Sequence, residues 1–212
     1  MKFTMETDIN QELEDLKEIA VGKIKIAYNT AIDLEATHSV LWMLTEGKRS
    51  LLLKLTLILG FILFITICIP ILFGFVYIIF IFSVISSSLI LLSVGLTIYS
   101  IFQATSSINH KLILEEAISL HRQAEDFLQY KLENLDKQAY IEEIKLLDGN
   151  EKILHEKSQI YKIKLSSNAI AQINNKLDIL EKSGFKKHVI TVEEIDTINN
   201  KLKKFIGLRD NL

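Results

Sequence analysis

Residues 55–109 read LTLILGFILFITICIPILFGFVYIIFIFSVISSSLILLSVGLTIYSIFQATSSIN, a stretch with no Asp, Glu, Lys or Arg. Most of it is Ile, Leu, Phe or Val, and both flanks are densely charged. A hydrocarbon layer about 30 Å thick requires about 20 apolar residues per helix, so the block suffices for two crossings and not for three. The first crossing is expected at residues 51–72, with Lys54 close enough to its start to snorkel, and the second at residues 76–102. Pro70 and Gly74 mark the end of the first, which places a short uncharged turn at Phe73 to Phe75.

Two crossings return the chain to its starting side. Lys48, Arg49 and Lys54 stand before or just inside the first crossing, and Lys111 and Arg122 follow the second, whereas the turn carries no base. The positive-inside rule therefore puts both termini of a multi-pass membrane protein in the cytoplasm. The acids Glu46 and Glu115 do not offset this, because orientation follows Lys and Arg and not net charge. Of the juxtamembrane bases Lys48, Arg49, Lys54 and Lys111, the first three are also placed to meet anionic headgroups, so membrane lipid is an expected partner. The N-terminal MKFTMETDINQELEDLKEIA is acidic and amphipathic with no apolar run behind a basic start, so the hairpin itself is expected to target the chain.

The flanks divide the chain into an N-terminal cytoplasmic arm (1–50), the hairpin (51–104) and a C-terminal cytoplasmic region (105–212). Ile9, Leu13, Leu16, Ile19 and Ala20, then Ile24, Ala27, Tyr28, Ala31, Leu34 and Leu41, recur at helical spacing, with Gly22 and Gly47 as weak points and Trp42 at the membrane boundary. A helix is expected over residues 107–147, a turn at Asp148-Gly149-Asn150, and another helix over 151–182 ending at Ser183-Gly184. A last helix begins at Thr191, where Thr191-Val192-Glu193-Glu194 fits a capping box, and ends near Gly207. Strand-like alternation is almost absent, so the fold class is an all-α membrane protein, a two-helix transmembrane hairpin with a cytoplasmic helical bundle formed by the N- and C-terminal helices.

Ser83, Ser86, Ser93, Thr97 and Ser100 lie on one face of the second crossing, with Ser87 and Ser88 beside them. In a membrane such a hydroxyl stripe has two uses: close helix packing, or a polar lining for a pore between subunits. Two crossings cannot enclose an aqueous path, so a pore requires a homo-oligomer. No filter loop, acidic ring or mid-membrane ionisable residue is present, which argues against a selective channel or pump.

With 24 Lys and Arg against 26 Asp and Glu, the net charge of −2 gives no reason to expect nucleic acid as a partner. Cys68 has no second cysteine to pair with. His38, His110, His121, His155 and His188 include no i, i+4 pair of the kind that holds zinc on a helix. His38 and His121 are read as packing or hydrogen-bonding residues between helices. No phosphate loop, nucleophile elbow or paired-carboxylate constellation appears, so neither an enzyme nor a cofactor is expected.

Tyr28, Ala31 and His38 upstream of a tight hairpin, then Phe102 and a helix reading His121-Arg122-Gln123-Ala124 with Phe127 and Leu128 after it, form a pattern that resembles the SLATT superfamily of bacterial two-transmembrane effector domains. The likeness extends over residues 10–180, with His121 and Ala124 matching the His-x-x-Ala-like motif. It implies a second crossing that runs into a long cytoplasmic helix, and an effector whose hairpins oligomerise into a pore or disrupt the membrane in anti-phage abortive infection. Since no nucleotide-binding domain is recognisable here, the resemblance implies that sensing falls to a partner encoded nearby or to the cytoplasmic helices. The other reading is a non-catalytic membrane anchor presenting a helical interaction module.

Overall fold

The computed structural model describes the backbone of residues 2–73, 76–132, 136–160 and 165–209, and the side chains of residues 11–68, 83–132, 136–160 and 165–204. Among the described residues the chain is helical and contains no strand. The elements are α1 (Lys2–Phe73), α2 (Val76–Asp126) followed by a π-helical turn (Phe127–Lys131), α3 (Lys137–Ile160), α4 (Ser167–Lys182) and α5 (Val192–Arg209). Gly74 and Phe75, on which the expected turn falls, lie outside the described residues.

The arm and the first apolar stretch form one helix, which passes through Gly22, Gly47 and Pro70. At Gly22 tertiary packing explains the glycine: a Cβ there would meet Ile198 Cδ1 of α5 at 2.3 Å, so the missing side chain is what lets the two helices approach.

The expected turn at Asp148-Gly149-Asn150 instead lies inside α3. Leu147 and Leu154, seven residues apart, are both buried, and Asp148 accepts hydrogen bonds from Lys23 at 2.9 Å and Lys152 at 2.6 Å. These contacts outweigh the local penalty of about 1 kcal/mol for an interior glycine. Conversely, the helix expected over 107–147 breaks after the π-helical turn, where the Tyr140 hydroxyl donates to the Leu132 carbonyl. Asp136 caps the start of α3 by accepting from the Ala139 N–H at 2.8 Å. The helix expected over 151–182 is likewise two helices, α4 being capped by Ser166, whose hydroxyl accepts from the Ala169 N–H at 3.3 Å.

The C-terminal end of α4 closes as a Schellman motif, with Phe185 N–H donating to Leu180 O and Gly184 N–H to Glu181 O, both at 3.1 Å. Gly184 sits at φ +106°, a conformation that costs a side-chain-bearing residue free energy. The capping box of α5 is formed: Glu194 N–H donates to the Thr191 hydroxyl at 3.2 Å, and Thr191 N–H donates to the Glu194 carboxylate at 2.8 Å.

The chain divides into two compact units, a terminal unit of Met1–His38 with Leu112–Leu212 and a hairpin unit of Ser39–Lys111. The terminal unit has a conventional core, to which α1 gives Leu16, Ile19, Ile24 and Ile32, α2 gives Ile113 and Leu120, and the later helices give Tyr140, Leu147, Ile173 and Leu180. Ala20, Ala27, Ala31, Ala117 and Ala124 are fully buried among them, small side chains that permit close helix approach.

The hairpin unit is built on a different plan. Its shielded positions recur at steps of three and four, Leu52, Thr56, Leu59, Leu63 and Thr66 on α1 and Ser86, Leu89, Ser93, Leu96, Ser100 and Gln103 on α2. This is the heptad seam of two helices packed at a shallow angle. Among residues 51–67 and 83–102 every position outside the seam is uncovered, including Leu57, Phe61, Phe64, Leu91 and Phe102.

Candidate functional site

α1 and α2 are each long and apolar enough to cross a membrane, with mean hydropathy of 2.6 and 2.0 over their most apolar stretches. Only 6% and 0% of those stretches is buried by protein, which a core helix of a soluble domain does not show. From Leu51 to Phe73 α1 rises about 33 Å, the thickness of a hydrocarbon layer. Such a surface indicates membrane association.

At one end of the hairpin unit the Ser107 hydroxyl donates to Glu46 Oε2 at 2.8 Å, and Arg49 donates to the same oxygen at 3.2 Å. This node joins α1 to α2 and brings the basic residues of both flanks to one end. Lys48 and Lys54 are exposed there, Arg49 is half-buried against Glu46, and Lys111 lies one turn beyond Ser107. Neither Glu46 nor Ser107 is evident as a partner from sequence, because their pairing is set by hairpin register and not by local spacing.

The hydroxyl stripe of α2 is split. Ser86 and Ser93 are half-buried and Ser100 is buried, all three in the seam, whereas Ser83 and Thr97 are exposed at its edge and Ser87 and Ser88 are exposed further round the helix. The exposed hydroxyls donate to their own helix, Ser87 to Ser83 O at 2.9 Å, Ser88 to Val84 O at 3.1 Å and Thr97 to Ser93 O at 2.8 Å. A hydroxyl so satisfied tolerates lipid and still offers lone pairs to a neighbouring helix or water.

In the terminal unit the motif residue His121 is buried on α2 with its Nδ1 3.2 Å from Glu35 Oε2 of α1. Its Nε2 is buried and has no hydrogen-bond partner among the described residues. Tyr28 meets the imidazole edge-on at 4.9 Å between ring centres, and Phe185 does so at 4.4 Å. Ala124, the other motif residue, is fully buried one turn further along.

The segment joining α4 to α5 lies against this cluster. Asn29 donates to His188 O at 2.8 Å and accepts from His188 N–H at 2.9 Å, Lys187 pairs with Asp33, and the His188 ring packs on Tyr28 at 5.2 Å. Burial raises the Tyr28 pKa above its ordinary value, aided by the negative charge of Glu125. Burial, and then the charge of Lys25, holds the His188 imidazole below its usual range. Glu35 and Asn29 escaped sequence reasoning, although both lie within one helical turn or two of Tyr28 on a largely apolar face. A polar residue at a core-facing position is the signal that could have found them.

The remaining histidines are dispersed. His38 and His110 are buried, burial lowering the pKa of His110, and His155 lies on α3 beside Gln159 at 3.0 Å. No family model matches the chain, and comparison with curated proteins and with solved structures finds no match.

Proposed function

We propose that this chain is an integral protein of the bacterial inner membrane, held by the α1–α2 hairpin with both termini in the cytoplasm, and that it acts as an effector whose hairpins assemble with other copies to breach the bilayer. The observation that carries the reading is the apolar surface of the hairpin unit, left almost wholly without protein cover and flanked at one end by Lys48, Arg49, Lys54 and Lys111. With two residues between α1 and α2, the folded mass belongs on the side of the termini. Exposed Ser83, Ser87 and Thr97 on α2 supply a polar edge that several copies together turn into a wet path. The SLATT-like pattern around His121 and Ala124 supports the same class, the setting being phage defence with a sensor protein as partner.

A second reading, a membrane anchor for a helical interaction module, is favoured by one observation: Ser87, Ser88 and Thr97 already satisfy their donors on their own helix and need neither pore nor partner. Dye release from vesicles of anionic lipid containing the purified protein separates the two. The effector releases dye, and a Ser83→Leu, Ser87→Leu, Thr97→Leu triple variant with the same insertion does not. Vesicles that stay sealed with inserted wild-type protein would sink the effector reading and leave the anchor.

A further inference from the structure

We infer that α5 is a releasable clasp on α1 whose undocking licenses the membrane activity, an inference that rests on the effector reading. The helices of the terminal unit differ in how they are held. α3 buries Tyr140, Ile144, Leu147 and Leu154, and α4 buries Ala169, Ile173 and Leu180, whereas none of the described α5 side chains is buried. Among the described residues, half-exposed side chains of α5 meet α1. Ile198 sits over the bare backbone of Gly22, Lys23 donates to Asn199 Oδ1 at 2.8 Å, and Lys201 donates to Glu18 Oε2 at 2.5 Å. Beside them an open cavity of about 560 Å³, lined by Val21, Lys25, Ile190 and Thr197 among others, leaves much of the facing surfaces apart. An element with few buried apolar contacts opens at lower free energy than the unit that carries it.

The hinge is marked as well. Residues up to His188 are fastened by Asn29, the Lys187–Asp33 pair and the rings of Tyr28 and His121, whereas the next residue, Val189, is 96% exposed. α5 is a preformed lever beyond that point, since the Thr191–Glu194 capping box satisfies its first turn without help from α1. Its docking site lies on α1, the helix that also supplies the first crossing.

The test uses the full chain in vesicles of anionic lipid. Gly22→Leu favours helix in α1 by about 1 kcal/mol while driving a side chain into the Ile198 position, and Ile198→Lys loosens the same contact from the α5 side. A Gly22→Cys, Ile198→Cys pair in a Cys68→Ser background, placed where a Cβ at Gly22 would lie 2.9 Å from Ile198 Cγ1, locks it when oxidised. Both loosening variants are expected to raise amide exchange over residues 192–204 about tenfold, with residues 167–182 unchanged. Dye release rises with them, falls to the lipid baseline in the oxidised lock, and returns on reduction. Unchanged exchange in both loosening variants would overturn the clasp. Equal dye release from locked and loosened forms would overturn its regulatory role while leaving the effector reading intact. Vesicles sealed in every form would overturn the effector reading and the clasp's role with it.

Discussion

Ser107 on α2 and Glu46 on α1, sixty-one positions apart in sequence, meet through a 2.8 Å hydrogen bond at the basic end of the hairpin unit. Ser107 is buried and Glu46 is half-exposed, so the bond fixes the relative register of two helices whose seam is otherwise made, apart from Gln103, of interchangeable Leu, Thr and Ser. Ser107→Ala is expected to weaken this end by about 1 kcal/mol, less than the ~1.5–3 kcal/mol usual for a bond to a charged group because water reaches the carboxylate. Amide exchange at residues 103–111 in lipid nanodiscs should rise up to about fivefold, and no change there would show that the seam alone sets the register.

The split hydroxyl stripe separates packing from any role outside the monomer. Ser86→Leu and Ser93→Leu insert bulk into the seam and are each expected to destabilise the hairpin by about 1–3 kcal/mol, whereas the Ala variants are nearly neutral. Ser83→Val and Thr97→Val, at exposed positions, should leave the hairpin intact and change only conductance or copy-to-copy crosslinking. Helicity against temperature in nanodiscs checks the first pair, and the account fails there if the seam and edge variants unfold alike.

Asp148 links α3 to α1 through Lys23, whose side chain is only 10% exposed, and to Lys152 on its own helix. Burial opposes the charge of Asp148, but the hydrogen bonds and positive charges of Lys152 and Lys23 outweigh it and hold the carboxyl below its ordinary value. Asp148→Ala strands the Lys23 ammonium and is expected to cost about 2–4 kcal/mol, partly offset by Asn199, against less than about 1 kcal/mol for Lys152→Ala at an exposed site. Denaturant unfolding of the two variants side by side tests the ranking, and a reversed order would contradict it.

Docking of the α4–α5 segment should depend on pH with a defined sign. His188 has a lowered pKa in the folded chain, so its neutral form is favoured there and the protonated form is favoured in the undocked state. Its contribution is complete above the ordinary 6.5 and is lost as pH falls through the lower folded value. The groups around it are Lys25 and Tyr28 on α1 and the neighbouring Lys187–Asp33 pair, none of which gains from a second positive charge except Asp33, already paired. Exchange at residues 185–191, taken relative to the intrinsic amide rate at each pH, is therefore expected to rise as pH falls from 7.5 to 5.5, and His188→Gln to flatten the rise. A wild-type profile as flat as the variant's would refute this.

Legibility in sequence followed the range of the forces involved. The apolar block at 55–109 announced two long apolar helices because hydropathy over about 20 residues is a sum that no single neighbour overturns. The Thr191–Glu194 capping box was equally plain, since both partners lie within one turn. Local rules failed where distant partners took over: Gly22 reads as a weak point until Ile198 is seen above it, and Asp148-Gly149-Asn150 reads as a turn until Lys23 and the flanking leucines hold it helical. The split of the hydroxyl stripe was hidden because serines seven apart share a face in any helix, and only the position of α1 decides which of them are covered.

The central claim is the double crossing with both termini inside, and labelling of single cysteines in intact cells with a membrane-impermeant maleimide tests it most directly. In a Cys68→Ser background of the full chain, Phe73→Cys should react from the periplasmic side, and Lys48→Cys and Lys186→Cys should react only after the cells are opened. Labelling of Lys186→Cys in intact cells, or of Phe73→Cys only after lysis, would contradict the account.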